Sequence, residues 1–383
     1  MSGLSAPTLE LADIIRRHAH RLPDLSCEQR RVLRDLAACR TAELGGHVET
    51  CGHCGFQRNA YNSCRNRHCP KCQASACARW MEEREAELLP VEYFHVVFTL
   101  PDVFNSLALG NPRVVYDLLF KAVSQTLLEV AADPRHLGAR IGFVGILHTW
   151  GQNLSLHPHV HCVVPGGGLS PDRTRWISCR PGFFLPVRVL SRVFRGKFIS
   201  LLRNAGLKGS LREIPGLALE AMIDSSVRND WVVYAKRPFG GPEQVLKYLS
   251  RYTHRIAISN RRLVSMDERS VTFGYKDYAH GNRPRTLTLD ACEFLRRFLM
   301  HVVPGRFVRI RHFGLMANRV RSVNIERCRQ RLGVVMKPPT RATVEEAADA
   351  PLCPACKFGR LMPGSLLKAK RTPFLHEPLK DTS

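Results

Sequence analysis

The sequence has few acidic residues and no long apolar run. Its 33 aspartate and glutamate residues are outnumbered by 57 lysine and arginine residues, so the formal net charge is +24. The N-terminal residues lack the small and apolar run of a signal peptide, and no stretch has the length and apolarity of a membrane-spanning helix. Internal repeats are also missing, which excludes a repeat architecture. We therefore expect a protein with no membrane partner that stays in the cytoplasm, the compartment where it is made.

The excess of positive charge is concentrated in one stretch. Residues 251–330 contain sixteen arginines and one lysine against six acidic residues, a net charge of +11. Arginine favours forked contacts to phosphate, and neutralising phosphates releases condensed counterions. The charge therefore indicates a nucleic acid partner, although a basic surface kept for solubility, or a ribosome-associated protein, would share it. It does not distinguish DNA from RNA.

The apolar pattern predicts a mixed α+β protein with room for two or three domains. Helical spacing and helix breakers predict two helices within residues 9–44 and further helices at 112–132, 187–204 and 242–252. Runs of β-branched and aromatic residues predict strands at 91–100, 141–148, 156–164 and 231–234, with short strands at 256–259, 263–266 and 271–275. Beyond Asp290 the chain is predicted to be helical and basic.

Two cysteine pairs predict a structural zinc site. In a reducing compartment, fourteen cysteines favour metal binding over disulfides. Cys51-Gly-His-Cys54 and Cys69-Pro-Lys-Cys72 are separated by fourteen residues. Because each C-x-x-C turn can aim two thiolates at one ion, we predict that Cys51, Cys54, Cys69 and Cys72 bind one zinc ion. That ion would supply folding energy to a small module.

Other cysteines and histidines leave alternatives open. Cys64 and His68 could replace a ligand or build a second site, or they could simply support the first one. Cys353-Pro-Ala-Cys356 is half of a zinc site or a remnant of one, and its possible partners are Cys328, Cys292 and His376.

A predicted strand carries three histidines in His157-Pro-His-Val-His161. Side chains alternate along a strand, so His157, His159 and His161 share one face while Val160 and its alternate neighbours enter the core. Neutral imidazoles in this arrangement can hold a divalent ion, although surface histidines would give the same pattern. Pro158 cannot donate to a β-ladder, which predicts a position at the start of the strand or at a sheet edge.

The predicted helix at 242–252 carries two tyrosines. Tyr248 and Tyr252 are four residues apart and therefore leave the same helix face. Tyrosine pairs with this spacing often only pack in a core. Nearby arginines could nevertheless attract a phosphate and favour the nucleophilic phenolate. These are Arg251, Arg255, Arg261 and Arg262.

In combination, these motifs resemble the two-tyrosine rolling-circle transposases, the insertion-sequence branch of the His-hydrophobe-His (HUH) nucleases. The resemblance covers about residues 10–320. It rests on the order and spacing of Tyr61-Asn-Ser-Cys-Arg-Asn-Arg-His-Cys-Pro-Lys-Cys72, Phe98-Thr-Leu-Pro101, His148-Thr-Trp-Gly-Gln-Asn-Leu, His157-Pro-His-Val-His-Cys, Gly166-Gly-Gly and Tyr248-Leu-Ser-Arg-Tyr252.

The resemblance implies a central antiparallel sheet with helices packed against it. It implies that His159 and His161 bind the catalytic divalent ion, Mg²⁺ or Mn²⁺, and that Tyr248 and Tyr252 are the nucleophiles. The third ligand stays open, with His157, Gln244 and Gln152 as candidates in that order.

The activity implied is a DNA transposase that nicks and rejoins single-stranded DNA through 5′-phosphotyrosine intermediates. Its partners would be element ends and target DNA, with unwinding supplied by a host helicase or replication machinery. A replication initiator or relaxase, a zinc-containing DNA-binding regulator and a metal-dependent hydrolase are the alternatives. The implied domains are a helical zinc-binding head at 1–90, a nuclease at 91–280, a basic helical region at 281–340, and a linker with a C-terminal cysteine pair at 341–383.

Overall fold

A computed structural model of the chain describes residues 9–72, 85, 87–212, 216–236, 256–277, 280–334 and 350–370. Within them the α-helices are α1 (Leu11–His18), α2 (Cys27–Ala38), α3 (Asn105–Gly110), α4 (Pro112–Ala132), α5 (Val187–Leu207), α6 (Gly216–Val227), α7 (Ala291–Leu299) and α8 (Arg321–Arg331). The strands are β1 (Gly46–Cys51), β2 (Gln57–Tyr61), β3 (Tyr93–Thr99), β4 (Gly142–Trp150), β5 (Leu156–Pro165), β6 (Gly167–Leu169), β7 (Trp176–Ser178), β8 (Val233–Lys236), β9 (Leu263–Met266), β10 (Ser270–Asp277), β11 (Arg283–Asp290), β12 (Ile310–Gly314) and β13 (Leu361–Leu367).

The described residues divide into two compact units, and each unit is discontinuous in sequence. The first unit, called the head below, comprises 9–72, 258–277, 280–299 and 350–370. The second, called the sheet unit, comprises 85, 87–212, 216–236, 256–257 and 300–334. This division differs from the four consecutive domains expected from the sequence, because later segments of the chain return to pair with the N-terminal part of the head.

The described residues of the head form three α-helices, α1, α2 and α7, and two small sheets. Helix α2 begins with a capping box, in which the Ser26 hydroxyl accepts a hydrogen bond from the Gln29 backbone N–H at 3.2 Å and the Gln29 side chain accepts one from the Ser26 N–H at 3.0 Å. One sheet has the strand order β13-β1-β2 and the other β11-β10-β9. Helix α7 covers the second sheet, where the Phe273 and Phe294 rings pack with centroids 5.6 Å apart. The two helices predicted within residues 9–44 are therefore present.

Replacing Ser26 with alanine is expected to destabilise the head by about 1 kcal/mol, because the hydroxyl that accepts a hydrogen bond from the Gln29 N–H is lost, whereas the bond from the Ser26 N–H to the Gln29 side chain can still form. Ser26 is exposed, so the substitution removes little packing. Hydrogen exchange of the amides in α2 measures the effect. A Ser26→Asp variant serves as the control because aspartate also caps helices. Equal exchange in the alanine variant and the wild type would show that the Ser26 hydroxyl contributes nothing.

The sheet unit is built around an antiparallel sheet with the strand order β12-β4-β5-β3-β8. One face of this sheet packs on the long helices α4 and α5 in the main hydrophobic core. Alternate residues of β5 enter that core, namely Val160, Cys162 and Val164. Aromatic contacts such as Phe98 against Phe194, at 5.1 Å between centroids, join sheet and helices. The α+β class with a central antiparallel sheet is thereby confirmed.

Because side chains alternate along each strand, the residues between the core positions lie on the opposite face of the sheet. Val144 and Ile146 of β4 pack there with Val163 of β5 in a second, smaller cluster. Histidines of β3, β4 and β5 also lie on this face, as described below. Among the described residues, no helix combines the length and apolarity needed to cross a membrane.

The basic C-terminal region contains more strand than the sequence pattern predicts. Residues 283–290 form β11, which pairs with β10, and residues 310–314 form β12, an edge strand of the central sheet. The expectation of a purely helical region beyond Asp290 is therefore wrong for β12. The expected strand at 256–259 is also absent, although Ile256 and Ile258 are buried. Both errors arise because strand pairing is decided by distant partners rather than by local pattern.

Candidate catalytic centre and cysteine clusters

Three histidines meet on the face of the central sheet that is opposite the core helices. His148, His159 and His161 each offer a ring nitrogen, and these nitrogens all lie within 4.8 Å of one another. His148 of β4 is paired directly with His159 of β5, so both side chains leave the same face of the sheet. His161 lies two residues further along β5 and therefore shares that face. His148 and His161 are buried, at 2% and 7% exposure.

Two of these imidazole rings make hydrogen bonds that determine which ring nitrogen can bind an ion. The Nδ1 atom of His159 lies 2.6 Å from the His157 carbonyl oxygen, which can only accept a hydrogen bond. Nδ1 therefore carries the proton, and in the neutral ring the lone pair is on Nε2. The Nδ1 atom of His161 lies 2.7 Å from Nε2 of His95 in β3. With His95 Nε2 as the acceptor of this hydrogen bond, Nδ1 of His161 carries the proton. The lone pair of Nε2 in His161 can then bind an ion.

His95 is suited to this supporting position. It is buried at 5% exposure, and its ring stacks on His161 with centroids 5.0 Å apart. Burial lowers the pKa of His95 to about 4, so the ring is neutral near pH 7 and can accept a hydrogen bond. Histidines that bind metals are commonly oriented by such outer partners. The three imidazoles and their hydrogen bonds therefore fit a divalent ion.

The structure brings together two of the predicted ligands and adds one that sequence analysis missed. His159 and His161 belong to the cluster, and the third member is His148. The favoured third candidate, His157, instead has a side chain 42% exposed and points Nδ1 toward Asp102 at 3.9 Å. His148 could have been found by aligning the antiparallel strands so that their histidines face each other.

The predicted nucleophiles, Tyr248 and Tyr252, lie outside the described residues, as do Arg251, Arg255 and the third-ligand candidate Gln244. Two of the predicted DNA-binding arginines are described. Arg261 is exposed. Arg262 is partly buried, donates a hydrogen bond from Nε to the Gly274 carbonyl oxygen at 2.8 Å, and lies 5.6 Å from the centroid of the Phe273 ring. Arg262 therefore has a structural contact within the head.

The head contains two separate clusters of four cysteines. The first, cluster A, consists of Cys39, Cys64, Cys69 and Cys72. Its sulfur–sulfur distances include 3.6 Å from Cys39 to Cys72, 3.7 Å from Cys64 to Cys72 and 3.5 Å from Cys39 to Cys69. A tetrahedron of thiolates at about 2.3 Å from a zinc ion has edges of about 3.8 Å. The distances are thus close to those of a zinc site and far longer than a disulfide bond of about 2 Å.

The thiols of cluster A affect one another's ionisation. Hydrogen bonding with Cys64 and then Cys69 lowers the pKa of Cys39, whereas the contact with Cys39 raises the pKa of Cys64 and of Cys69. One thiolate therefore opposes ionisation of its neighbours. A divalent cation would remove this conflict, because all four sulfurs could then be deprotonated.

The second cluster, cluster B, consists of Cys51, Cys54, Cys353 and Cys356. The prediction that Cys51, Cys54, Cys69 and Cys72 bind one shared ion is thus corrected, because the structure places the two pairs in different clusters. The physical reason is that Cys51 and Cys54 lie at the turn that closes the β1–β2 hairpin, whereas Cys69 and Cys72 follow β2, which leaves the hairpin at its opposite end. Each pair therefore meets two other cysteines. The suggested partners of Cys353 and Cys356 are also corrected: among the described candidates, Cys328 is buried in another apolar cluster, and Cys292 is in neither cysteine cluster.

Comparisons with known proteins agree with this organisation. A family model described as "Transposase zinc-binding domain" matches residues 11–100, and one described as "Putative transposase" matches residues 142–323. The first match includes all of cluster A, and the second includes the three clustered histidines.

Two relatives are similar over most of their length. The "Putative transposase y4qJ" of Sinorhizobium fredii is 51% identical over 374 residues, which cover 92% of this chain and 94% of the relative. The "Transposase for insertion sequence element IS801" of Pseudomonas savastanoi pv. phaseolicola is 28% identical over 318 residues, which cover 80% of this chain and 74% of the relative.

The two matches and the α+β fold define a transposase with a zinc-binding domain near its N-terminus, and hence a DNA-cleaving enzyme that binds DNA. More particularly, the chain belongs to the IS91 family of rolling-circle insertion-sequence transposases.

Proposed function

We propose that this transposase nicks and rejoins single-stranded DNA through a tyrosine bound covalently to the 5′-phosphate. The observation that carries the proposal is the cluster of His148, His159 and His161 on one face of the central sheet. A sheet bearing three convergent imidazoles suits a divalent ion that acts on a phosphodiester. Within the family, tyrosines on a helix complete such a centre, and Tyr248 and Tyr252 are the residues that match.

The covalent chemistry balances without an external energy source. The phenol oxygen of Tyr248 or Tyr252 forms a bond to the scissile phosphorus, and the bond from phosphorus to the 3′-oxygen breaks. The phenol proton is lost and the departing oxygen gains one, which leaves a 5′-phosphotyrosine and a free 3′-OH. Because the ester bond is exchanged rather than hydrolysed, the reverse reaction can rejoin DNA. Two tyrosines allow a second strand end to be attached while the first is still held.

His148, His159 and His161 would hold the ion, which when bound stabilises negative charge on the phosphoryl oxygens. His95 and the His157 carbonyl oxygen keep His161 and His159 in the tautomer that presents Nε2. Nitrogen ligands suit transition-metal ions better than Mg²⁺, which prefers oxygen, so Mn²⁺ is the cation for a first test. We infer that Mg²⁺ or Mn²⁺ serves in the cell.

Zinc and DNA contacts complete the proposal. Cluster A would hold a structural zinc ion, in keeping with the matched zinc-binding domain. Arginine-rich residues 251–330, with a net charge of +11, would follow the backbone of single-stranded DNA. The expected substrates are the element ends and the target, with unwinding by a host helicase or replication machinery and a location in the cytoplasm at the nucleoid.

The deciding experiment uses the full chain, Mn²⁺ and single-stranded DNA from the ends of the element, labelled at the 3′ end. Wild-type protein is expected to form a labelled adduct that survives denaturation, because the 3′-labelled fragment carries the 5′-phosphate bound to tyrosine. The double variant Tyr248→Phe/Tyr252→Phe is expected to form none while still binding DNA. Tyr234→Phe is the matched control, since this tyrosine is 50% exposed on β8.

The other outcomes identify other functions. Cleavage by the wild type without an adduct would indicate a hydrolase that uses water. Binding without cleavage would indicate a DNA-binding regulator. An adduct that persists in the double variant would show that another residue is the nucleophile.

A further inference from the structure

Cluster B joins two parts of the sequence that are far apart. Cys51 is the last residue of β1 and Cys54 lies in the turn after it, whereas Cys353 and Cys356 lie in the C-terminal segment 350–370, called the tail below. The Sγ atoms of Cys51 and Cys356 are 3.8 Å apart although the residues are separated by 305 positions, and those of Cys54 and Cys353 are 3.7 Å apart. All four sulfurs lie within 4.8 Å of one another. These distances agree with the edge of about 3.8 Å expected for four thiolates around zinc.

The two turns of cluster B have the same backbone construction. In each, the residue after the second cysteine donates its N–H to the carbonyl oxygen of the first, at 3.0 Å for Gly55 to Cys51 and 2.9 Å for Lys357 to Cys353. Gly55 and Lys357 both adopt left-handed conformations, with φ of 72° and 61°. A left-handed backbone is uncommon for a lysine, so the second turn is held in a specific shape.

Backbone amides also point at the sulfurs. The His53 N–H donates to Cys51 Sγ at 3.4 Å, and the Gly359 N–H donates to Cys356 Sγ at 3.3 Å. Such bonds stabilise negative charge on sulfur, which is the form that binds a metal. Position 359 requires glycine because other residues approach its backbone closely. A Cβ atom there would lie 2.5 Å from Cys51 Sγ and 2.6 Å from the His53 Cβ.

Apolar burial alone does not explain how the tail stays attached. Strand β13 pairs with β1, with Cys51 opposite Leu361, but Leu361 is the only buried residue among 361–367. The associated apolar cluster has only Cys51, Cys353 and Leu361 as buried members. A module with so small a core generally needs a disulfide or a metal, and the sulfur distances exclude a disulfide here.

We propose that cluster B is a second structural zinc site, which fastens the tail to the β1–β2 hairpin of the head. The site goes beyond the matched zinc-binding domain at 11–100, because two of its four ligands lie in the tail. It is independent of the tyrosine chemistry proposed above. Each thiol releases its proton as it binds, and the ion bridges the two turns. The head thus holds two zinc ions, one bound by sequence-local cysteines and the other by the two distant pairs.

Cobalt substitution of the full chain tests the site. The histidine cluster can also take up a divalent ion, so total metal content does not isolate the thiolate sites. Thiolate-to-Co²⁺ charge-transfer absorption does, since it requires sulfur ligands. We expect the wild type to titrate to two Co²⁺ ions by this absorption, and Cys353→Ser/Cys356→Ser to titrate to one. The matched control Cys179→Ser/Cys292→Ser, which alters cysteines outside both clusters, is expected to keep two.

A second variant tests the geometry with all four thiols retained. Gly359→Ala is expected to weaken one of the two Co²⁺ sites at least tenfold, because the new methyl group displaces Cys51 Sγ. Hydrogen exchange in the same variants is expected to show lost protection in 361–367 and unchanged protection in β3, β4 and β5, which verifies that the sheet unit is folded.

A single thiolate site in the wild type would overturn the proposal, and this result does not depend on the folding of any variant. Two sites that both persist in Cys353→Ser/Cys356→Ser would also overturn it, because the second ion would then lie elsewhere. The tyrosine adduct assay is a separate readout, so failure of one proposal leaves the other standing.

Discussion

Replacing His148 with alanine is expected to lower the rate of DNA cleavage by about 100- to 1000-fold. A bound ion contributes several kcal/mol of charge stabilisation in the transition state, and about 1.4 kcal/mol corresponds to a factor of ten in rate. His148 is one of three imidazoles in the cluster and is paired with His159 across the strands. Its loss leaves two ligands and so weakens the site. Adduct formation at saturating DNA and several Mn²⁺ concentrations measures the effect, and higher Mn²⁺ should recover part of the rate.

His157→Ala is the matched control for this prediction. His157 lies in the same strand as His159, but its half-exposed side chain is not part of the cluster, so alanine is expected to change the rate less than tenfold. Because His148 is buried, His148→Asn should accompany the alanine variant and retain more of the packing. If His148→Ala cleaves at the wild-type rate while His157→Ala does not, the third ligand is His157, as the sequence first indicated.

Removing one thiol from cluster A is expected to unfold much of residues 39–72. In small zinc modules, ion binding supplies about 10 to 16 kcal/mol, which is folding free energy because the unfolded chain has no formed site. Cys39 is fully buried at the end of α2 and lies within 3.6 Å of two other sulfurs of the cluster. Cys39→Ser should therefore lose one zinc ion and the hydrogen-exchange protection of β1 and β2, and DNA affinity should fall with them.

The control is Cys27→Ser, which alters an exposed cysteine at the start of α2, outside both clusters. It is expected to keep its zinc and its protection. A Cys39→Ser protein with full zinc content and an intact β1–β2 hairpin would show that cluster A does not bind the metal. Treatment of the wild type with a strong chelator should cause at least the same loss of protection in β1 and β2, because it removes the zinc of cluster A together with that of cluster B.

The sequence was sufficient for features that have a local signal. Alternation in β5 placed Val160 and Cys162 in the core and put His159 and His161 together on the other face, as the structure has them. The helix ending at Ala132 begins with Pro112 in its first turn, where proline is favoured. The hydrophobic periodicity of a segment and the residues that begin or end a helix are local properties of the sequence, so they can be recognised without knowing the fold.

Features that depend on register between strands could not be derived in this way. His148 joins the cluster because β4 and β5 pair with His148 opposite His159, and the register shifts between His148 and Trp150. Local pattern does not reveal such an irregularity. The ligands of cluster B were likewise hidden, since Cys51 meets Cys356 only through the pairing of β1 with β13. The C-x-x-C spacing correctly marked both pairs as possible ligands but could not say which pairs share an ion.

The strand order β13-β1-β2 has a consequence for synthesis of the protein on the ribosome. Strand β1 is the middle strand of this sheet, but its neighbour β13 begins only at Leu361, which is 310 residues after its partner Cys51. At about 5 to 20 residues per second, β1 remains an open edge strand for about 15 to 60 seconds. The described residues of the sheet unit end at 334, so the histidine-bearing unit can fold before the head is finished. A nascent chain that stalls beyond that point would carry a complete histidine face and a head with an exposed strand edge, a known hazard for aggregation.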